Sequence, residues 1–247
     1  DTMQQIKKAG KLPIIFADKD SWTIHQGWDA IDMSSRGSQD NLFQNVLNGT
    51  TVLYEDPIAL DSTRKFLEIR QYGQKQTINT GYDEAVKKFA KGEAYMFLQG
   101  NWAYPMIKKI NPDIDLLFMP FPAYHENQAK VVVKIDATLG VSASCKHLEA
   151  VEQFLDYVFS KNVSEYYADK AGAYSCIKSV DVEDSYAKAF TDSIRSGEFF
   201  LEEFAYETEK SDAINALFQN FISSPQRDTE KSFLKELNDL LIQQKGD

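Results

Sequence analysis

The sequence predicts an α/β fold in which short buried strands alternate with amphipathic helices, giving way to helices alone in the last third. Three observations lead there. The apolar runs at residues 12–17 and 94–98 are too short for helices and end in polar or glycine-containing breaks. The segments between them repeat apolar residues at helical spacing. From residue 186 to 241 helical spacing is the one pattern that recurs.

Taken in order, residues 1–11 read as the tail of a helix carrying Lys7, Lys8 and Lys11. The run from Leu12 to Ala17 reads as a strand ending in a polar loop with Asp18, Asp20 and Trp22. Residues 23–32 start a helix with Trp28 and Ile31 inward, and Leu42, Phe43, Val46 and Leu47 mark a short second one. Residues 59–72 form a helix closed by Gly73. Next come Tyr82, Ala85, Val86, Phe89 and Ala90 on one helix face, with Lys87, Lys88 and Lys91 on the exposed face. Gly92 follows as a left-handed cap, where a residue without a Cβ is least strained.

Residues 94–98 then form a strand that delivers Asn101, Trp102 and Tyr104 to a loop at its C-terminal end, where open α/β sheets bind ligands. Residues 115–121 read as a strand stopped by Pro120 and Pro122. Residues 129–135 read as another, broken at Asp136, Ala137 and Thr138. Leu148, Val151, Phe154, Leu155 and Val158 make the stripe of the most regular helix. A further helix over 160–169 turns Val163 and Tyr167 inward, a loop with Tyr174 follows, and the last helix carries Phe233, Leu234, Leu237, Leu240 and Leu241.

The 247 residues suffice for one large domain or two modest ones. A net charge of −10 without a basic patch argues against nucleic acid and anionic membrane surfaces. No apolar run approaches the roughly 20 residues of a spanning helix. No secretion signal is visible at the start, so the expectation is that one was removed or that the chain begins inside a larger protein. Cys145 and Cys176 are expected to be buried thiols, with pairing left open. His25, His125 and His147 are expected to be solvated or capping. No cysteine or histidine spacing suggests a metal, and no cofactor is expected.

Phe89, Gly92, Glu93, Ala94 and Met96, followed by Gly100 and Trp102, form a pattern of helix end, strand and Gly-x-Trp. It resembles the signature of extracellular solute-binding proteins of bacterial sugar ABC importers, the maltose-binding-protein-like family. The order of the other segments resembles that family's C-terminal two-thirds. The resemblance implies a periplasmic-binding-protein-like (type II) α/β fold with two lobes, hinge crossovers and a helix-rich C-terminal region, its N-terminal lobe incomplete here. Residues 1–125 would begin the second lobe, 126–176 would return to the first, and 177–247 would complete the second. The hinge strands would lie near residues 120–130 and 175–183. The implied function is capture of a neutral sugar or oligosaccharide in the interlobe cleft and its delivery to membrane permease subunits. A monomer is expected, in the periplasm or lipid-anchored at the cell surface, without enzymatic activity. The alternatives left open are a receptor fragment or interaction module that binds no ligand, and a glycoside-active enzyme using Asp18, Asp20 or Asp136.

A neutral sugar offers hydroxyls to carboxylates and an apolar ring face to aromatic planes. Three loops supply such groups: Asp18, Asp20 and Trp22; Asn101, Trp102 and Tyr104; and Asp136 with Thr138. By resemblance, Trp102 stacks on a sugar ring with Tyr104 beside it. Asp20 and Trp22 match a carboxylate and an aromatic that touch sugar, and Asp136 and Tyr174 are carried over across loops of different length. Each has a plainer reading. Trp102 would plug the sheet end, Trp22 would staple a helix start, Asp18 and Asp20 would cap a helix, and Asp136 would serve a turn. No arginine lies in the three loops, which favours a neutral ligand over an anionic one.

Overall fold

The computed structural model describes residues 2–36, 42–122, 130–134, 138–171, 173–180, 185–201, 208–224 and 229–243. Helix α1 (Thr2–Lys8) leads into strand β1 (Leu12–Ile15), then helices α2 (Trp22–Arg36), α3 (Leu42–Leu47), α4 (Pro57–Arg70) and α5 (Tyr82–Ala90). Strand β2 (Ala94–Phe97) and helix α6 (Ala103–Ile110) follow. After β3 (Val131–Val133) come α7 (Leu148–Val158), α8 (Lys161–Ala171), α9 (Ser185–Ser196), β4 (Phe199–Leu201), α10 (Thr208–Ser223) and α11 (Glu230–Ile242). Strands β1 and β2 pair in parallel, Leu12 beside Ala94 and Ile15 beside Phe97. Strands β3 and β4 form a second parallel pair, Val131 beside Phe199.

The β1–β2 unit is built as the sequence predicts. Gly92 ends α5 at φ +75°, and the N–H of Glu93 bonds back to the Lys88 carbonyl. Ala85, Val86 and Ala90 are fully buried between the strands and α6. The larger core lies among α2, α3, α4, α10 and α11, with Trp28, Phe66, Phe218 and Phe233 at its centre. The Trp28 indole N–H donates to Thr63 Oγ1 at 3.0 Å, so the buried ring leaves no orphan donor. Phe221 and Phe233 stack at 4.0 Å between centroids and join α10 to α11.

Two polar devices fasten this core. Buried Asn238 of α11 accepts the Leu53 backbone N–H at 3.0 Å. Asn238→Ala is expected to lower stability by about 1–3 kcal/mol, read by urea unfolding, because that N–H then stays buried without a partner. Arg36, at the end of α2, bridges Asp32 at 2.6 Å and Asp56 at 2.7 Å. Asp56 also accepts the Ala59 N–H at the start of α4, so one guanidinium ties the end of one helix to the cap of another.

Several expectations are corrected. Residues 115–121 form no strand. Their side chains alternate between half-buried and exposed, as in extended chain, but no described strand pairs with them, and Leu117 is 86% exposed. The last third is not helical throughout, since β4 follows Gly197, which turns the chain at φ +77°. Three residues of strand are too few to show a period. Tyr167 points outward, and Ser164 and Ala168 are the buried residues of α8. Along α7 no residue is buried, and Leu148 and Phe154 of its apolar stripe are exposed. Cys145 is half-buried and Cys176 exposed, both free thiols as expected but neither of them buried. His25 is neither solvated nor capping: its Nε2 lies 2.9 Å from Asp29 Oδ2 and its ring packs on Phe218. No described helix is long and apolar enough to cross a membrane.

Candidate ligand-binding site

Parallel pairing places the C-terminal ends of β1 and β2 side by side, and the loops leaving them converge. Trp22 opens α2 and is 38% exposed, and Trp102 is the residue before α6. Their ring centroids lie 6.2 Å apart, tilted by 56°. Tyr82, the first residue of α5, adds a third ring 5.2 Å from Trp22. Three aromatic planes thus meet at one edge of the sheet at different inclinations, a corner suited to more than one face of a ligand. Burial pushes the Tyr82 phenol up to about 12, Asp83 adds to the shift, and the neighbouring Trp102 N–H opposes it. The phenol is therefore neutral and able to donate at physiological pH.

Glycine makes the corner possible. A Cβ on Gly100 would lie 2.0 Å from Cζ3 and 2.1 Å from Cη2 of Trp102, so the indole folds back over the loop where no side chain can stand. Lys134 also reaches the ring, its Nζ 5.7 Å from the centroid. Lys134 follows β3, so the third loop begins beside the first two.

The carboxylates divide. Asp20, half-buried, accepts the Tyr82 backbone N–H at 2.6 Å. It caps α5 across the loop rather than the helix that follows it, and holds Tyr82 beside Trp22. Asp20→Ala is expected to cost about 1 kcal/mol of stability, read as a lowered thermal midpoint. Asp18 is 1% exposed, and its Oδ2 accepts from Arg70 Nη1 at 2.6 Å. The Asp18 carbonyl accepts from Gln219 Nε2 at 3.0 Å. Burial pulls the Arg70 pKa down against the pull of Asp18, and the guanidinium packs on Phe16 and Phe66.

Asn101 is half-buried between Gly100 and Trp102. Tyr104 turns away into the first turn of α6, 9% exposed, with Phe118 at its edge and Lys108 over its ring. Tyr174 reaches the same aromatic row through Phe190 at 6.3 Å, which contacts Phe118. Asp136 lies outside the described residues, as does His125. No group of described His, Cys, Asp or Glu residues could hold a metal ion.

Sequence reasoning missed Tyr82 and Arg70. Tyr82 was legible as the residue after Gly81 at a helix start, but its helical spacing marked it as core. Arg70 stood in the apolar period of α4, and only folding shows that a buried carboxylate faces it.

The profile of the bacterial extracellular solute-binding protein family matches residues 3–164. The multiple sugar-binding protein of Streptococcus mutans is 25% identical over 183 residues, which is 72% of this chain and 43% of that protein. An ABC transporter extracellular-binding protein of Pyrococcus horikoshii is 24% identical over 157 residues, 63% of this chain and 34% of its own length. Among solved structures, SBP RafE in complex with raffinose superposes with a TM-score of 0.75 at 23% identity, covering 99% of this chain and 64% of that one. A sugar transporter of Bacillus licheniformis in complex with stachyose gives 0.74 at 19% identity, covering 96% and 64%. These likenesses bear out the expected type II periplasmic-binding-protein-like fold. The chain spans under half the length of the curated relatives it matches and under two thirds of those solved structures.

Proposed function

Because the chain belongs to the bacterial extracellular solute-binding protein family, we propose that it captures a neutral sugar or oligosaccharide and delivers it to the permease subunits of an ABC importer. The observation that carries the reading is the corner of Trp22, Tyr82 and Trp102 at the C-terminal ends of two parallel strands. Trp102 offers its ring to a sugar face, Trp22 and Tyr82 close the sides, and Asn101 and Asp20 lie within the same loops for hydroxyls. Asp18 is engaged by Arg70, so its part is to fix the loop rather than to meet the ligand first. Tyr104 and Tyr174 act through packing.

The names of the relatives support a carbohydrate: multiple sugars for the Streptococcus mutans protein, raffinose and stachyose for the two structures. Residues 126–176 are assigned to the opposite lobe, with β3 kept beside the second lobe by its pairing with β4, and the unburied apolar stripe of α7 supports this, since such a stripe needs a partner. The protein works outside the cytoplasm, as a monomer, and binds without covalent chemistry.

The test is a tryptophan-fluorescence titration of the full-length receptor with neutral oligosaccharides, raffinose and stachyose included. A saturable change is expected, and Trp102→Ala is expected to abolish it while the fold stays intact. An unchanged titration in Trp102→Ala would remove the ring from the site. Product formed on prolonged incubation with the bound sugar would favour the glycoside-active alternative.

A further inference from the structure

Where the chain leaves β1 and β2 lies a cavity of about 10 Å³, lined by Asp18, Thr23, Gly27, Arg70, Leu98 and Gln99 among others. Two of these side chains carry buried polar atoms without a hydrogen-bond partner: the Arg70 Nε–H, a donor, and Gln99 Oε1, an acceptor. An orphan donor and an orphan acceptor on one cavity are complementary to a single small molecule that both accepts and donates. The volume is about that of one water probe, and a water needs two to four polar partners to be held. Left empty, the two groups would each carry an unpaid desolvation cost, which native interiors rarely tolerate.

We propose that this cavity is a bound-water site in which one water accepts from Arg70 Nε–H and donates to Gln99 Oε1. Through it, the loop leaving β2 is tied to the buried Asp18–Arg70 pair. The consequence reaches the rings. Gln99 immediately precedes Gly100, over which Trp102 folds, and Asp18 lies in the loop that ends at Trp22. Arg70 and Gln99 are then positioning residues: they hold the two loops at a fixed separation without touching the ligand. This second part rests on the reading of Trp102 as a ring platform, and the first part does not.

A high-resolution crystal structure of the full-length protein tests the water directly. Density for an ordered oxygen within hydrogen-bond distance of both Arg70 Nε and Gln99 Oε1 is expected. A dry cavity, or a direct bond between the two side chains, overturns the site. Two variants test the positioning. Gln99→Leu removes the acceptor and is expected to weaken sugar binding about tenfold, the worth of one lost hydrogen bond. Gln99→Glu keeps an acceptor at the same reach and is expected to stay within about twofold. A purely structural role would lower the thermal midpoint of Gln99→Leu and leave affinity unchanged, which overturns positioning while sparing the water. If no sugar binds the native protein, the sugar reading fails, but the density and the tryptophan emission of Gln99→Leu still decide the site and the tether.

Discussion

Replacing Arg36 with methionine is expected to destabilise the protein by about 3–5 kcal/mol, the range for breaking a buried ion pair by removing one partner. The guanidinium is 2% exposed and engages both carboxylates in two-pronged fashion. Nε and Nη2 donate to Asp32 at 2.6 and 3.2 Å, and Nη1 and Nη2 donate to Asp56 at 3.2 and 2.7 Å. Removing it strands Asp32, which is 2% exposed. It also frees α4 from α2 at the point where Asp56 caps α4. Arg36→Lys is expected to recover little, because a point charge cannot match two carboxylates at once.

The sign of the pH dependence separates this explanation from a loss of packing. Burial already raises the Asp32 pKa even with Arg36 present. A carboxyl whose folded pKa is raised favours the folded state as pH falls below that value and burdens it above. For Asp56, burial pushes upward but the bonds from Arg36 and Ala59 outweigh it, so its folded pKa lies below the ordinary range. That contribution is present above the unfolded pKa and is lost as pH falls through the folded one. Both effects narrow the gap between native protein and Arg36→Met in acid. Urea unfolding at neutral pH and near pH 4 should show the deficit shrinking through Asp32, with Asp56 adding to it only at lower pH, where its depressed pKa is crossed. A deficit independent of pH would assign the effect to lost packing instead.

How much was legible in the sequence follows from the range over which each signal acts. The unit from α5 through β2 to Trp102 was readable because its determinants are local: helical spacing, Gly92 at positive φ, a short apolar run and Gly100 before the indole. The first two loops were named from the residues they carry, but that they meet follows from the parallel pairing of β1 and β2, which joins segments about eighty residues apart. What failed needed knowledge of partners distant in sequence. Residues 115–121 have the alternation of a strand, but a strand exists only if another pairs with it. The stripe of α7 was correctly seen as apolar, yet whether it is covered depends on what lies against it. The roles of Asp18 and Asp20 were set by Arg70 and by the Tyr82 backbone, each more than fifty positions away. A carboxylate in a loop shows its charge in the sequence but not which donor it will find.

Gly100→Ala is expected to weaken sugar binding about hundredfold while leaving the fold nearly intact, the reverse of the Arg36 result. Loss of a ring anchor at the centre of a site is worth about 2–4 kcal/mol of binding. A methyl at residue 100 overlaps three atoms of the Trp102 ring, the nearest at 2.0 Å, so the ring must leave its place. The backbone itself has no objection: Gly100 is not among the residues at positive φ, so alanine is sterically allowed there. The displaced atoms are the outer edge of one half-buried side chain rather than the sheet, and the cost to stability should stay within about 1 kcal/mol. Fluorescence should show the indole more exposed, with red-shifted emission, and the sugar-dependent signal should fall with the affinity. Calorimetric titration of the same variant provides a readout that does not depend on where the indole sits. Native-like affinity by calorimetry would mean that the ligand does not use the ring in the position Gly100 allows, and the site would then have to be sought along Trp22 and Tyr82 alone.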